Sequence, residues 1–360
     1  MKISNLRLVN FRNYDTLNIE FSNALNIIYG DNGSGKSNLI EAIYLLSLTK
    51  SFRTLDDKNL INKNDKVALI KGVVDEKTYF IELSKDDKKI FIDNKKVVKI
   101  SDYISKINII LFNPLDTKII SDSPSVRRKM LNIEISQINY SYVSLISSYN
   151  KILKHRNAYL KNLLLNGNAS YEYLDILTNK LVDLGYQIHK IREDYVKLIN
   201  ENLTNIYKNI FTEGSLIIKY VSSFNNKDIS EIHKVYKDNY RKEINYGKTL
   251  SGVHHDDIEF ILDGYNIKEY GSVGQQKNAI ISFKLSELII IKKLNGTYPI
   301  LILDDLFSEL DDNKINNIIK MLNKEVQTFI TTTNINNVDK DLLTDSYIYY
   351  IKNGKIERKN

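Results

Sequence analysis

The chain of 360 residues contains no cysteine. Disulfides, thiolate metal sites and cysteine nucleophiles are therefore excluded. Proline is nearly absent, at three residues, so long regular elements are not interrupted from within. No apolar run approaches the ~18 residues of a membrane span. The opening Met1-Lys2-Ile3-Ser4-Asn5 leads straight into strand-like sequence; we expect no signal peptide and a cytoplasmic location. Charge of one sign is only in modest excess, 51 Lys and Arg against 44 Asp and Glu for a net +7. That mildly favours a polyanionic partner such as nucleic acid. Abundant Asn, Lys, Ile and Tyr also follow from AT-rich coding, so the charge alone identifies no partner. A hydrophobic content of 42% is ample for a core, and 26% charged is ordinary for a soluble protein.

Glycine is sparse, yet three of the fourteen fall in Gly30-Asp31-Asn32-Gly33-Ser34-Gly35-Lys36-Ser37. Gly, four residues, Gly-Lys-Ser is the P-loop spacing. The apolar run Ala24–Tyr29 reads as a buried strand before it. Leu39, Ala42, Ile43 and Leu46 give helical spacing after it. Strand, glycine loop and helix are the context the pattern requires. The glycines let backbone N–H groups curl toward phosphate oxygens, and a helix N-terminus adds positive potential at the same point. Lys36 would reach the β- and γ-phosphates of a nucleotide, and the Ser37 hydroxyl would ligate Mg²⁺.

Around this loop the chain reads in three stretches. Lys2–Val9 and Tyr14–Phe21 alternate as strands around an Arg12-Asn13 turn. Val67–Val74, Thr78–Leu83, Ile90–Ile92 and Val97–Val98 read as an antiparallel meander, and Ile107–Phe112 as an apolar strand ended by Asn113-Pro114. The middle is helical. Ile135, Ile138, Tyr142, Leu145, Tyr149 and Ile152 alternate by three and four. A polar turn at 166–170 follows, and Leu174, Leu177, Leu181, Leu184, Ile188, Ile191, Tyr195 and Leu198 repeat the alternation. This mean period of 3.5 predicts an antiparallel coiled-coil hairpin. Gly214–Tyr220 reads as a strand and Ile229–Tyr240 as a helix. Then come strands at Ile258–Leu262, Pro299–Leu303, Val326–Ile330 and Tyr347–Ile351, with a long helix at Gln275–Leu294.

Ile300-Leu301-Ile302-Leu303-Asp304-Asp305 is an apolar strand ending in acid, the Walker B pattern. Asp304 is the natural Mg²⁺ partner, and Asp305 is placed to polarise an attacking water. Ser308-Glu309-Leu310-Asp311 follows, and Gly271-Ser272-Val273-Gly274-Gln275-Gln276 precedes a helix upstream. In this order these motifs resemble the ABC-type ATPases. The match narrows to the RecF family of bacterial recombination mediators. Leu8–Tyr14, Gly33–Ile43, Ser51-Phe52-Arg53-Thr54, Phe112-Asn113-Pro114, Pro124 with Arg127-Arg128, His254 with Asp256-Asp257, and the Ser272–Gln276 loop all follow its pattern.

The resemblance implies an α/β fold: a P-loop ABC-type ATPase head with an antiparallel β meander and an inserted α-helical coiled-coil arm. The expected division is head at 1–120, arm at 121–245 and head again at 246–360. It implies ATP and Mg²⁺ as ligands, ATP-driven homodimerisation, weak DNA-dependent ATPase activity with ATP mainly a switch, and DNA binding. It also implies recombinational gap repair, replication restart and SOS induction with RecO and RecR, loading RecA on strands coated by SSB. By resemblance Ser272, Gly274 and Gln275 would meet the γ-phosphate in trans, Glu309 and Asp311 would lie at the dimer interface, and Thr332 would stand near the nucleotide. Arg12 and Asn13 would flank adenosine and phosphates, or form a surface turn. Arg53, Lys58, Lys63, Arg127 and Arg128 are candidate DNA contacts, although each alone is an ordinary solvated side chain. His254-His255-Asp256-Asp257 invites a metal reading, but strand neighbours point to opposite faces, so a polar structural turn is preferred. An ABC transport ATPase would need a membrane partner. An ATPase–nuclease of the overcoming-lysogenisation type would need a further acidic Mg²⁺ module, for which we expect no room beyond Asn360.

Overall fold

A computed structural model describes residues 1–166, 170–211, 214–305, 314, 318, 322, 325–335 and 346–360. The chain separates into two compact units: 1–117 with 205–213 and 280–360, and 118–204 with 214–279.

The first unit carries two six-stranded sheets. One is antiparallel. Its strands are β1 (Ile3–Phe11), β2 (Tyr14–Glu20), β4 (Val67–Val74), β5 (Lys77–Ser84), β6 (Lys88–Ile92) and the two-residue β7 (Lys95–Lys96), in the order β2-β1-β4-β5-β6-β7. Two of its hairpins turn on pairs with positive φ, Asp75-Glu76 (44° and 67°) and Asp93-Asn94 (47° and 64°), as type I′ turns require. Because pairing resumes directly after Asn94, the last strand is Lys95–Lys96 rather than the expected Val97–Val98, and Val98 is exposed.

The other sheet is built on β3 (Leu25–Tyr29), β8 (Ile109–Phe112), β12 (Ile300–Leu303), β13 (Thr328–Thr332), β14 (Ser346–Lys352) and β15 (Lys355–Arg358). Their order is β15-β14-β3-β13-β12-β8. Every pairing is parallel except β14 with β15. β8 and β12 are continuous apolar runs, buried throughout, because a parallel sheet is covered on both faces. Helix α1 (Lys36–Leu48) follows β3 and buries eleven of its thirteen residues. A buried amide joins the two sheets: Gln327 accepts from the Ile3 N–H at 2.7 Å and donates to the carbonyls of Ile3 (2.7 Å) and Ser22 (2.8 Å).

The second unit holds α2 (Lys118–Ser121), α3 (Pro124–Ile138), α4 (Tyr140–Asn166) and most of α5 (Tyr171–Phe211). It continues with β9 (Leu216–Val221), α6 (Ile229–Tyr246), β10 (Asp257–Leu262), β11 (Tyr265–Asn266), α7 (Ile267–Tyr270) and the start of α8 (Val273–Asn295). The hairpin is antiparallel. Tyr142 meets Arg192, a Cβ on Gly185 would touch Tyr149, Arg156 meets Thr178 and the Tyr159 ring meets Tyr173, so one number falls as the other rises.

One expectation is corrected here. The heptad run from Ile135 to Ile152 is not one helix. Asn139 leaves helical geometry (φ −133°, ψ 97°), and its side chain accepts from the N–H (3.1 Å) and hydroxyl (2.7 Å) of Ser141, capping α4. The arm also buries residues flanking its heptad seam. Val182, His189, Arg192, Val196 and Ile199 are buried beside the heptad positions, a stripe wider than a two-helix seam needs. Finally, the strands expected at Gly214–Tyr220 and Ile258–Leu262 pair with each other, in the three-stranded sheet β11-β10-β9. By compactness the Ser272–Gln275 loop groups with the helical unit.

Candidate functional site

Parallel strands align their C-terminal ends, and loops leaving that edge form crevices. The Gly30–Ser37 loop leaves β3, Asp304 and Asp305 leave β12, and β13 lies between the two strands. The loop geometry demands glycine. A Cβ at Gly30 would lie 2.2 Å from the Ile351 carbonyl oxygen, and Gly35, at φ 122°, would place one 2.8 Å from Asn13 Nδ2. Tyr14 donates its hydroxyl to the Gly35 carbonyl at 3.0 Å, and Asn13 Nδ2 donates to Ser34 O at 3.3 Å. The β1–β2 turn therefore holds the loop from one side.

Lys36 is buried and turns back along the loop, donating to the carbonyls of Gly30 (2.6 Å) and Asp31 (3.0 Å). Burial lowers its pKa, against the opposing fields of Asp305, Asp304 and Asp31. Asp304 is also buried, and burial raises its pKa. The hydrogen bond from Thr331 pulls the other way, Asp305 adds to the rise, and Arg53 and Lys36 oppose it. Thr331 Oγ1 donates to Asp304 Oδ1 at 2.7 Å and accepts the Asp305 N–H at 2.8 Å. Asp305 itself sits at φ 53°, a left-handed conformation that Asp and Asn tolerate.

These residues suit a nucleoside triphosphate. Ser34 Oγ is buried with no protein partner, inside a loop whose backbone turns around it. Asp31, Asn32 and Gly33 are exposed, and Ser37 is half-buried in the first turn of α1. For Mg²⁺ the donor set is the Ser37 hydroxyl and the Asp304 carboxylate, both hard oxygen donors.

Two features were not assigned from the sequence. Glu41, fully buried on α1, receives both Nε (2.9 Å) and Nη2 (2.8 Å) of Arg12. It also accepts the Ser51 hydroxyl and lies 3.5 Å from Arg53 Nη1. Its signal was an acid standing inside the apolar face Leu39–Ile43. The second is Thr331. The sequence-based choice was Thr332, but adjacent strand residues face opposite ways, and Thr332 Oγ1 turns to Asn334 O at 3.1 Å.

Of the candidate DNA contacts, Arg53, Lys58 and Lys63 line one open cleft of about 460 Å³ together with Arg12, Lys85 and Asp65. Arg127 is withdrawn from that role. It is 4% exposed, forks onto Asp257 (2.6 and 2.9 Å) and spends Nη1 on the carbonyls of Ile119, Ile120 and Asp122. Arg128 donates to Asp256 O at 2.8 Å. The acids and imidazoles at 254–257 serve packing: His254 Nδ1 lies 2.7 Å from the Tyr149 hydroxyl, and Asp256 takes Arg192 at 2.7 Å. Ser272 and Gln275 are exposed at the start of α8 and bonded reciprocally, Ser272 N–H to Gln275 Oε1 (2.9 Å) and Gln275 N–H to Ser272 Oγ (3.2 Å). This is a capping box. Gly274 is exposed beside them. Glu309 and Asp311 lie outside the described residues.

A parallel sheet presenting Walker A and Walker B loops on adjoining strand ends, beside an antiparallel sheet, defines the ATPase head of a P-loop protein. A family model described as the RecF/RecN/SMC N terminal domain matches residues 2–356. The chain belongs to the RecF family. The DNA replication and repair protein RecF of Clostridium kluyveri is 38% identical, over 99% of this chain and 100% of its own. That of Oenococcus oeni is 36% identical over 99% of each. A solved structure described as the recombination mediator protein RecF-ATP in the RecFOR pathway aligns with TM-score 0.92 at 31% identity, covering 99% of this chain and 97% of the other. The head domain of Smc from Pyrococcus furiosus shares the fold, with TM-score 0.56 at 16% identity, over 99% of this chain and 95% of its own. Among the described residues no helix is long and apolar enough to cross a membrane.

Proposed function

We propose that this chain is an ATP-gated DNA-binding protein of recombinational repair, in which ATP closes a homodimer and hydrolysis reopens it. The observation that carries the reading is the convergence of Lys36, Asp304 and Asp305 at one edge of the parallel sheet, with Thr331 of the intervening strand bonded to both acids. A fold shared with a RecF described with ATP supports the ligand. The Gly30–Ser37 backbone and Lys36 hold the β- and γ-phosphates. Ser37 and Asp304 would hold Mg²⁺, which when bound neutralises phosphate charge. Asp305 orients and polarises water. Ser272, Gly274 and Gln275 stand at an exposed helix N-terminus suited to a phosphate of the partner protomer's nucleotide. DNA, RecO and RecR are the expected partners, and the cytoplasm the expected location.

The test is DNA binding with ATP, with ADP and without nucleotide, for wild type and Lys36→Ala. ATP should tighten wild-type binding and leave Lys36→Ala unmoved. The variant forfeits charge-assisted bonds of about 1.5–3 kcal/mol each, so its ATP affinity should fall at least ~10-fold. Equal DNA affinity in all wild-type states would reject the gate.

A further inference from the structure

The hairpin formed by β14 and β15 reaches back to the nucleotide loop. β14 runs parallel to β3 with Tyr350 paired to Tyr29, and the two rings lie 5.1 Å apart. Gly30 follows Tyr29, so the hairpin accompanies β3 to the point where the loop begins. Beyond Tyr350 the approach is backbone to backbone. The Ile351 carbonyl occupies the space that a Cβ of Gly30 would need. The hairpin then turns at Asn353-Gly354, with φ 49° and 74°, the pair of positive values that a type I′ turn requires. The Gly354 N–H donates to the Ser34 carbonyl at 3.0 Å. A Cβ on Gly354 would lie 2.7 Å from the Asn13 carbonyl oxygen. The turn thus meets the P-loop and the β1–β2 turn at once.

The chain holds a matched turn for comparison. Asp263-Gly264 joins β10 to β11 with φ 50° and 87°, and a Cβ on Gly264 would meet nothing within 4 Å. There glycine serves only the backbone conformation. At Gly354 the same conformation is combined with a close approach and a hydrogen bond. That bond has a definite consequence. The Ser34–Gly35 peptide is trans, so its carbonyl and its N–H point to opposite sides. The Ser34 carbonyl accepts from the Gly354 N–H and, at 3.3 Å, from Asn13 Nδ2. Two donors outside the loop therefore hold this peptide plane and turn the Gly35 N–H away from themselves. Phosphate binding by a P-loop depends on N–H groups aimed inward in this way.

We infer that the Asn353-Gly354 turn is a positioning element of the nucleotide site, and that Gly354 acts on the nucleotide through the Ser34–Gly35 peptide. It is a positioning residue, not a phosphate ligand. The contact it orients is common to ATP and ADP, because the loop N–H groups cradle the inner phosphates while Lys36 reaches outward. Loss of the turn contact therefore weakens both nucleotides by a similar factor and spares the chemical step. By linkage, bound nucleotide tightens the Gly354 bond in return. The inference rests on the ATP-binding reading above, and it adds a positioning segment from the opposite end of the chain.

The test measures ATP and ADP affinity and steady-state turnover in the full chain, for wild type, Gly354→Ala, Gly264→Ala and Asn353→Gly. Gly354→Ala drives a methyl group against the Asn13 carbonyl and pushes the turn off Ser34. Affinity for ATP and for ADP should both fall about 5- to 10-fold, the scale of one hydrogen bond. KM should rise while kcat stays near wild type, as for an interaction shared by ground and transition states. Gly264→Ala carries the same backbone strain at a turn with open space around its Cβ, so it reports the cost of strain alone. Its melting temperature should drop while its nucleotide affinities match wild type. Asn353→Gly keeps the turn type and the Gly354 N–H, so its affinities should also match wild type. Equal losses of affinity in Gly354→Ala and Gly264→Ala would reduce the effect to stability, and unchanged affinities in Gly354→Ala would remove the turn from the site; either result overturns the proposal. A loss confined to ATP would also overturn it, because the inner phosphates would then be unaffected. Amide hydrogen exchange on the wild-type chain decides the matter even where Gly354→Ala does not fold. The Gly354 amide should exchange more slowly with ADP bound, and an unchanged rate overturns the proposal. Failure of wild type to bind either nucleotide would strike the ATP-binding reading itself, a result distinct from each of these.

Discussion

Thr331 donates to Asp304 at 2.7 Å and, through the same oxygen, accepts the backbone N–H of Asp305 at 2.8 Å. One hydroxyl on β13 therefore fixes both acids that leave β12. Burial pushes Asp304 toward its neutral form, and the Thr331 bond is foremost among the influences that oppose this. Thr331→Val removes the bond with little change of shape. The pKa of Asp304 should rise further, so the acid limb of ATP turnover should move to higher pH. At neutral pH the rate should fall roughly 10-fold, since a bond to a charged group contributes about 1.5 kcal/mol or more. A pH–rate profile checks this, and an acid limb that does not move would remove Thr331 from the site.

Asp305 occupies φ 53°. Asparagine tolerates this conformation and β-branched residues do not, so Asp305→Asn is the informative change. It should retain ATP binding and the fold while turnover falls ~10²-fold or more, the usual loss when a group acting on the reacting water is removed. Single-turnover hydrolysis alongside nucleotide titration separates the two quantities. Loss of ATP binding would place Asp305 in the metal shell with Asp304.

The helical unit should be acid-labile. His254 is half-buried against Tyr149 and His255, and desolvation, followed by the neighbouring imidazole, depresses its pKa to about 4. His189, stacked on Tyr220, is lowered for the same first reason. The sign follows from proton uptake. Between about pH 6.5 and 4 the unfolded chain binds a proton at His254 that the folded chain refuses, so stability falls as pH drops through this window and is intact above it. The displacement from 6.5 to about 4 corresponds to about 3 kcal/mol. Denaturant unfolding at pH 7, 6, 5 and 4 should show the decline, and His254→Gln should reduce its steepness. A flat profile would contradict a desolvated neutral imidazole there.

Local patterns made much of this molecule legible. The P-loop, its strand and its helix were readable because glycine spacing, apolar run and helical period coincide within Ala24–Leu46. Walker B was readable because an apolar run, Ile300–Leu303, ends in two acids. What escaped the sequence depends on partners distant in the chain. Thr331 and Thr332 are identical in kind, and only the pleat of β13 decides which one meets Asp304. Arg127 resembles any surface arginine until Asp257, 130 residues away, closes on it. The strands at Leu216–Val221 and Asp257–Leu262 gave correct local signals, but nothing local says that they pair with each other. The heptad run hid Asn139 because a polar residue off the apolar stripe looks like helix surface, whereas here it caps α4.

Ser272 offers the sharpest test of a closed dimer, and the structure refines which substitution to make. Its hydroxyl accepts the Gln275 N–H and its N–H donates to Gln275 Oε1. Ser272→Arg would both fill the seat of a phosphate and remove the cap, which costs about 1 kcal/mol. Ser272→Asp separates these effects, because aspartate caps a helix as well as serine does while opposing a triphosphate. Melting temperature should therefore hold in Ser272→Asp and drop slightly in Ser272→Arg. Both should bind ATP in their own P-loop with wild-type affinity. Neither should dimerise with ATP, and an equimolar mixture of Ser272→Asp with Lys36→Ala should yield at most a dimer with one competent nucleotide seat. In that mixed dimer the intact Lys36 loop faces the intact Ser272 loop of the other protomer. Partial recovery of ATP-dependent association on mixing, read by light scattering, is the signature of action in trans. Normal dimerisation of Ser272→Asp alone would show that this helix end meets no phosphate.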